Sequence, residues 1–590
     1  MMCKRLSVCA LVVLFCGNAN LFSQNIEKDT LNGFFYHRET YFIDSIQRLN
    51  DNLTDVHFYN PLKRTDEGFF QQLSTYGSPS QSTLYEFNTN FLQYQPNIYS
   101  PYIYTWHNIR FYQLNKPYSE LYYSNDLNSD RIFQVTHSQN VWTGLNIGLQ
   151  YKVNYADGTF ANSWEENQYF NATANYISPK GIYRAEAAYI RNRAYTAENG
   201  GLNDELFIAD SFPSNAAYPV ALEAASTKYK SADFLLSQSV RLPKDFGSLT
   251  LTNSLTDNTR IYHDANSIDT SLAFDNKRLT TSFAYNAIIK QHLPVQAGIR
   301  HDYNMFANRS ESEKASLMSP FAAIRFSLKG FLFNIYGEKT LSNGVFGNNS
   351  LIQAGSSFAF DSANHNSIFA SLVYKITTAD FLFRHTNSTN YQWDNTFNAI
   401  RTMKFSIGSS LLGIFDLAVN YFALNDNVWL SETLQPTQKD GLTNIYQAIL
   451  KNKFTLGSFG FMGIAALQYA DDETAVSLPL LQVKQTAYVE FFLFKKKLKT
   501  QIGVDLYYNT AFYADAYLPE LGSFYRQRER KQGNYLYADV FAAFNISRVN
   551  LFISLSHPYA GLIGNDYFQT LHYPSEALSL RFGLSWKFFD

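Results

Sequence analysis

Leu578-Ser579-Leu580-Arg581-Phe582-Gly583-Leu584-Ser585-Trp586-Lys587-Phe588 is the stretch on which the fold turns. Leu578, Leu580, Phe582, Leu584, Trp586 and Phe588 hold alternate positions, and Ser579, Arg581, Gly583, Ser585 and Lys587 fill the places between them. A β-strand sends successive side chains to opposite faces, so this segment has one wholly apolar face and one polar, cationic face. Aromatic Phe588 and Phe589 stand just before the final Asp590. A strand of an outer-membrane barrel needs this arrangement: lipid outside, water inside, aromatics at the interface. In a soluble sandwich the apolar face would enter a core, and the rest of the chain arbitrates between the two.

The alternation recurs upstream. Thr143, Leu145, Ile147, Leu149, Tyr151 and Val153 alternate with Gly144, Asn146, Gly148, Gln150, Lys152 and Asn154. Phe415, Leu417, Val419 and Tyr421 alternate with Asp416, Ala418 and Asn420. The same pattern runs through 481–493, 498–506 and 550–556. Segments of about 10–13 residues suit a tilted membrane strand and exceed the usual soluble length of about 5–6. Connections near the C-terminus alternate short and long: 494–498 and 546–549 are tight, 509–532 and 557–576 are long. Short periplasmic turns and long outer loops mark such barrels. The tally is about 24 strands, with 22 to 26 compatible and an even number expected; between 340 and 398 the parity is ambiguous.

Residues 1–23 read as a secretory signal. Lys4 and Arg5 precede a short apolar run over Leu6–Phe15, and small Ser23 precedes the cut. Cys16 follows bulky Phe15, which argues against lipoprotein processing. Cys3, Cys9 and Cys16 all lie in this leader, so the mature chain has no disulfide, thiol nucleophile or thiolate metal site. The chain holds 50 Phe and 42 Tyr in 590 residues, yet its mean hydropathy is −0.24. After the leader no apolar run approaches the roughly 20 residues of a membrane helix. Every second residue of a barrel strand is polar, which reconciles the two numbers. A net charge of −2 gives a nucleic-acid partner no electrostatic support.

The expected organisation is the leader, an N-terminal segment over 24–100 that is periplasmic, luminal or the first strands, and a barrel over 101–590. Phe42–Leu53 reads as a short helix, and 24–100 is short for the plug domain of an energy-coupled transporter. Asn199–Ala225 is a long irregular connection, either an outer loop or a fold into the lumen. Because so wide a barrel left open would leak, 25–100 or 199–225 is expected to enter the lumen.

The chain resembles the putative porin family of Bacteroidetes outer membranes. The likeness rests on Gly77-Ser78-Pro79-Ser80-Gln81, Pro117-Tyr118-Ser119-Glu120-Leu121, His137-Ser138-Gln139-Asn140, Asn199-Gly200-Gly201, Asn390-Tyr391-Gln392-Trp393-Asp394-Asn395, Gly533-Asn534-Tyr535 and the ending Arg581–Asp590. Leu536 stands where the family pattern has proline. The resemblance implies a channel in the outer membrane of a Gram-negative bacterium.

Candidate pore-lining residues come from the polar phase: Lys152, Asp416, Lys484, Glu490, Lys499, Asp505, Asp539, Arg581 and Lys587. Both signs occur, so strong ion selectivity is not implied. Arg526, Arg528, Arg530 and Lys531 are either lipopolysaccharide or constriction contacts, or a solvated loop; Lys495–Lys497 reads as a turn that keeps charge out of the bilayer. In His137-Ser138-Gln139 strand geometry puts Ser138 opposite its neighbours, which argues against a hydrolase. Asp471-Asp472 could bind Ca²⁺ in an outer loop, a solvated loop being the simpler reading. The expected function is passive diffusion of small hydrophilic solutes, with no catalytic, cofactor or metal site. A specific transporter or secretion-machinery barrel is the alternative, and an outer-membrane enzyme or adhesin stands behind it. Expected partners are outer-membrane lipid and lipopolysaccharide, and the barrel-assembly machinery through the C-terminal strand.

Overall fold

The computed structural model describes residues 33–589, apart from 38–45, 50–52, 54, 66–67, 92, 95–96, 128–129, 268–270, 290–292, 309–310, 343–345, 362–365 and 563. The leader read over 1–23 lies outside the described residues. From Tyr118–Asp126 onward, 22 antiparallel strands close into a barrel, each next to its sequence neighbours. The last strand, Ser579–Phe589, pairs with the first, from Arg581 opposite Asp126 to Phe589 opposite Tyr118. This seam leaves no sheet edge, which lipid would penalise by several kcal/mol for each unsatisfied backbone group.

The count sits at the lower end of the expected range. Short hairpins in the outer loops, such as His385–Asn387 with Gln392–Asp394 and Val428–Leu430 with Pro436–Gln438, carry strand-like patterns without entering the barrel. The first hairpin occupies the region of ambiguous parity, where Phe331–Lys339, Ser350–Ala359 and Ser367–Thr377 are the barrel strands.

Outward residues are apolar and open to the surroundings, inward ones polar and covered. Phe582 is 49 % exposed and its neighbour Arg581 0 %. At one end the connections are as short as 143–144, 329–330, 457–458 and 547–548; at the other they run over 199–224, 378–399, 510–536 and 557–578. The short-turn end carries an aromatic girdle: Phe331 lies 4.8 Å from Phe358, Phe326 5.0 Å from Phe333, Phe454 5.2 Å from Phe461 and Trp586 4.4 Å from Phe588. Such belts sit where lipid meets water, and the pattern of short turns at one end and long loops at the other makes the short turns periplasmic and the long loops external.

Gly33–Tyr36, Ile46–Arg48 and Phe111–Leu114 form a small sheet inside the periplasmic end. Asn140 donates to the Leu114 carbonyl at 2.7 Å and Asn175 to that of Tyr112 at 3.2 Å, which fixes the sheet to the wall. The helix expected over Phe42–Leu53 is replaced at Ile46–Arg48 by a strand, because the backbone of Phe34–Tyr36 offers it a ladder. Residues 199–224 form an outer loop with a short helix, Asp204–Ile208. Phe207 packs there against Phe160, Tyr218, Tyr567 and Phe568, so the loop covers the outer mouth.

Candidate functional site

The site is the contact between residues 53–104 and the inward face of the barrel. Among its described residues this segment has little regular structure: a 3-10 turn at Pro61–Lys63 and a hairpin of Phe70–Gln72 with Ser80–Ser82. A backbone without a ladder needs partners for its polar groups. The inward phase of the strands supplies them as amides and hydroxyls. Gln468 and Gln482 both donate to the Thr83 carbonyl, at 3.0 and 3.2 Å. Gln468 also accepts from the Tyr85 amide at 2.9 Å, and Gln447 donates to the Tyr85 carbonyl at 3.1 Å. Lys375 caps the Asn88 carbonyl at 2.8 Å and Thr377 that of Phe91 at 2.7 Å. Tyr99 and Thr196 share a hydroxyl bond of 2.9 Å. Asn192 exchanges two bonds with the Tyr104 backbone, at 2.8 and 2.9 Å. These partners lie on strands around much of the barrel, so 53–104 traverses the lumen as a plug.

Gly77 has φ +90°, and a Cβ there would come within 2.5 Å of the Asn167 amide and 2.9 Å of Asn154. Only glycine lets the Tyr76–Ser82 turn approach the wall this closely. Apolar contacts supplement the polar ones. Leu53 and Val56 pack on Phe541, Ala543 and Phe552, and Tyr94 on Phe274, Phe306 and Phe381.

Three charged groups of the wall hold the plug at its outer half. Asp505 bonds His57 at 3.0 Å and Thr486 at 2.5 Å, with the imidazole stacked on Phe541 at 3.7 Å. Asp539 accepts from Lys63 at 2.8 Å, and Glu576 of the last outer loop stands 3.3 Å from the same ammonium. Burial alone would lower the Lys63 pKa; Asp539, Tyr59 and Glu576 outweigh it and hold it well above the usual value. Burial would likewise raise Glu576, and Lys63 and Arg581 outweigh it and hold it below its usual value. Lys484 points its ammonium at main-chain carbonyls of the plug: Leu62 at 2.5 Å, Arg64 at 3.2 Å, and Gly68.

Arg581 closes the arrangement. It bonds Asp126 at 3.1 Å and Asp130 at 3.4 Å across the barrel seam, and its guanidinium lies 3.8 Å from the centre of the Tyr59 ring. Asp126, Asp130 and Glu576 bring carboxylate oxygens within 4.8 Å of one another. Burial and the neighbouring Asp126 push Asp130 up to about 8. Arg581 and Lys63 supply the cations at this cluster.

All nine candidate lining residues sit on the inward phase, but they do not share one environment. Lys484, Asp505, Asp539 and Arg581 are covered by the plug or its surroundings. Asp416, Glu490, Lys499 and Lys587 lie toward the periplasmic end, where Lys499 pairs with Glu490 at 3.0 Å and Asp416 accepts from Ser410 at 2.5 Å. Lys587 is in register with Glu120. Lys152 lies between the two groups, 5.8 Å from the centre of the Tyr169 ring.

The other sequence candidates are engaged within the chain. Arg526 pairs with Asp515, Arg528 with Glu432 at 3.2 Å, and Arg530 with Asp204 at 2.8 Å and with Asp566; Lys531 lies 5.0 Å from the Tyr513 ring. Lys495–Lys497 are exposed in a periplasmic turn. Ser138 faces inward on Asn146 at 3.0 Å while His137 bonds Ser119 at 2.7 Å, so the two are not brought together. Asp471 accepts from Asn444 at 2.6 Å, and Asp472 from Lys439 at 2.7 Å and Thr474 at 2.5 Å. Sequence reasoning missed His57, Tyr59, Lys63, Thr83 and Glu576. The signal available was the mixture of tyrosines with Gln, Asn and Thr over 53–104 without a strand period.

No curated protein matches the chain. Among solved structures it is similar to the FrpB iron transporter from Neisseria meningitidis, at 12 % identity and TM-score 0.57, over 80 % of this chain and 82 % of that one. A mutant ferric enterobactin receptor, PfeA, from Pseudomonas aeruginosa gives 10 % identity and TM-score 0.59, over 80 % of each chain. The siderophore receptor PirA from Acinetobacter baumannii gives 8 % identity and TM-score 0.59, over 80 % of this chain and 81 % of that one. At these identities the shared property is the large outer-membrane barrel. The family described as Putative porin matches residues 33–294 and 289–590. With its closed 22-stranded barrel in the Gram-negative outer membrane, the chain belongs to the Putative porin family.

Proposed function

We propose that this protein carries hydrophilic solutes across the outer membrane through its barrel, and that the luminal segment 53–104 is a gate that must shift for passage. The observation that supports this is the chemistry of the contact between plug and wall. Gln447, Gln468, Gln482, Asn192 and Thr377 bind plug backbone through amides and hydroxyls. Neutral bonds of this kind are worth about 0.5–1.5 kcal/mol each, because water replaces them when they break. A wall built this way stays compatible with water once the plug moves, which an apolar core would not. The named functions of the similar structures, an iron transporter, a ferric enterobactin receptor and a siderophore receptor, also favour transport over an unguarded pore. The reading assigns no catalysis and no cofactor.

Passive diffusion past a stationary plug is the second reading. The family description and the hydrophilic inward phase favour it. A crosslink separates the two. Thr83 and Gln482 side chains meet at 2.6 Å, and after Cys16 the chain has no cysteine. Thr83→Cys with Gln482→Cys, joined by a short reducible bis-thiosulfonate, ties plug to wall. In planar bilayers the tied protein should conduct little, and reduction should restore conductance. Equal conductance in both states would exclude the gate and leave passive diffusion. Conductance in neither state would exclude passive diffusion.

A further inference from the structure

We infer that the outer end of the lumen holds a binding site for a neutral, hydroxyl-rich solute of about monosaccharide size; this rests on the transport reading and names its solute class. The site is a cavity of about 80 Å³ between the plug, the outer ends of Leu481–Leu493 and Leu498–Asn509, and the loops 510–536 and 557–578. One water needs roughly 10–15 Å³ of such space, so the cavity has room for roughly five to eight. The plug hairpin forms one wall, so a solute arriving from outside would rest against the gate.

The lining has the chemistry of hydroxyl recognition. Gln71, Gln482, Gln532 and Asn509 line it with amides; each already donates one N–H within the chain, to the carbonyls of Asp515, Thr83, Arg530 and Thr510, and keeps a second N–H and carbonyl lone pairs that suit a hydroxyl. Phe512 and Phe568 add flat apolar surface for the carbon face of a ring. Three lining residues carry a buried polar atom without a hydrogen-bond partner: Tyr507 Oη, Gln532 Oε1 and Ser575 Oγ. Buried polar groups are nearly always paired, and a solute hydroxyl or a water that comes within reach of these three atoms would supply the bond. The charged groups are already engaged: the Lys63 ammonium stands against the carboxylates of Asp539 and Glu576, and that of Lys484 lies on the carbonyls of Leu62, Arg64 and Gly68. A charged solute would therefore find no counterion to spare, whereas a neutral one loses nothing.

The test is saturation-transfer NMR on the full purified barrel in lipid nanodiscs. The probes are glucose, galactose, mannose and myo-inositol, with gluconate and glucosamine as charged counterparts. At least one neutral probe should bind saturably and more tightly than either charged one. Tyr507→Phe and Ser575→Ala, which remove one hydroxyl each, should weaken it roughly 2- to 12-fold, the worth of one net hydrogen bond. Retention of the heat-modifiable gel shift shows that the variants are folded, and Gln532→Glu, which adds a charge at the same place, gives a second check by weakening the neutral probe. No saturable binding by any of the four, tighter binding of gluconate or glucosamine, or wild-type affinity in all three variants overturns the proposal. A protein that conducts regardless of the crosslink but binds the sugar keeps this site and loses the gate. A protein gated by the crosslink that binds no sugar keeps the gate and loses this site.

Discussion

Arg581 of the last barrel strand lies over the ring of Tyr59 in the plug, its guanidinium carbon 3.8 Å from the ring centre, while the same group bonds Asp126 of the first strand at 3.1 Å. One side chain thus joins both sides of the barrel seam and the plug. Arg581→Met removes the cation but leaves Asp126 and Asp130 buried. Breaking a buried pair from one side costs about 3–5 kcal/mol. The folded band should therefore melt at markedly lower temperature in a gel-shift series. Arg581→Lys keeps the charge and loses the fork, and should fall between the two; a melting point equal to that of wild type in Arg581→Met would refute the role.

The outward and inward faces of the same strand should respond oppositely to charge. Phe582 is 49 % exposed on the lipid side, and Ser585 is buried beside Glu120, to which it donates at 2.7 Å. Phe582→Arg should impair assembly, since an Arg on the lipid face costs about 2–4 kcal/mol at the midplane. In Ser585→Arg the new cation has the Glu120 carboxylate as a partner, and assembly yield should exceed that of Phe582→Arg.

The plug and the outer loop should differ in their effect on permeation. Replacing 69–83 by a short Gly/Ser linker removes the hairpin that meets Gln468 and Gln482, and single-channel conductance should rise. Trimming 205–218 opens only the outer cover and should raise it less. The reverse order would place the constriction in the outer loops.

Acid should loosen the outer cover. Burial pulls His557 down to about 4 from an ordinary 6.5, while the Glu576 carbonyl, 3.0 Å from Nδ1, opposes it. Because the folded value is depressed, the stabilisation from neutral His557 is full above 6.5 and is lost as pH falls toward 4. Each pH unit in that window removes at most about 1.4 kcal/mol. Lys63 and Glu576, which face the imidazole, stay charged across most of it, since the one is held above and the other below its usual value. Asp130, held up at about 8, gains stability over the same window in both proteins, so the check is the difference: the melting temperature of wild type relative to that of His557→Gln should fall between pH 7 and 4.5.

Much of the barrel was legible because lipid imposes a period of two on each strand. Leu481–Leu493 can be read from the alternation of Val483, Ala487 and Val489 with Lys484, Thr486 and Glu490, and the structure has the strand at those bounds. Strand number was less legible, because loop hairpins such as Val428–Leu430 with Pro436–Gln438 use the same residues without spanning the membrane. The inward placement of Lys484 and Asp505 followed from strand phase; their partners did not. Leu62, Gly68 and His57 belong to a segment with no period, so their positions depend on the shape of the lumen.

The seam bears on the order of assembly. Asp126 and Arg581 are 455 positions apart in the chain, so their contact is among the last that synthesis allows. The plug precedes every barrel strand in sequence, and its Tyr59 is met by the strand made last. A barrel that sealed before residues 53–104 had entered would have to admit them through its periplasmic end past a polar wall. Closing the ring around a segment already in place avoids that barrier. Sealing of the cylinder and capture of its contents then fall together, in the pairing of the two barrel strands most distant in sequence.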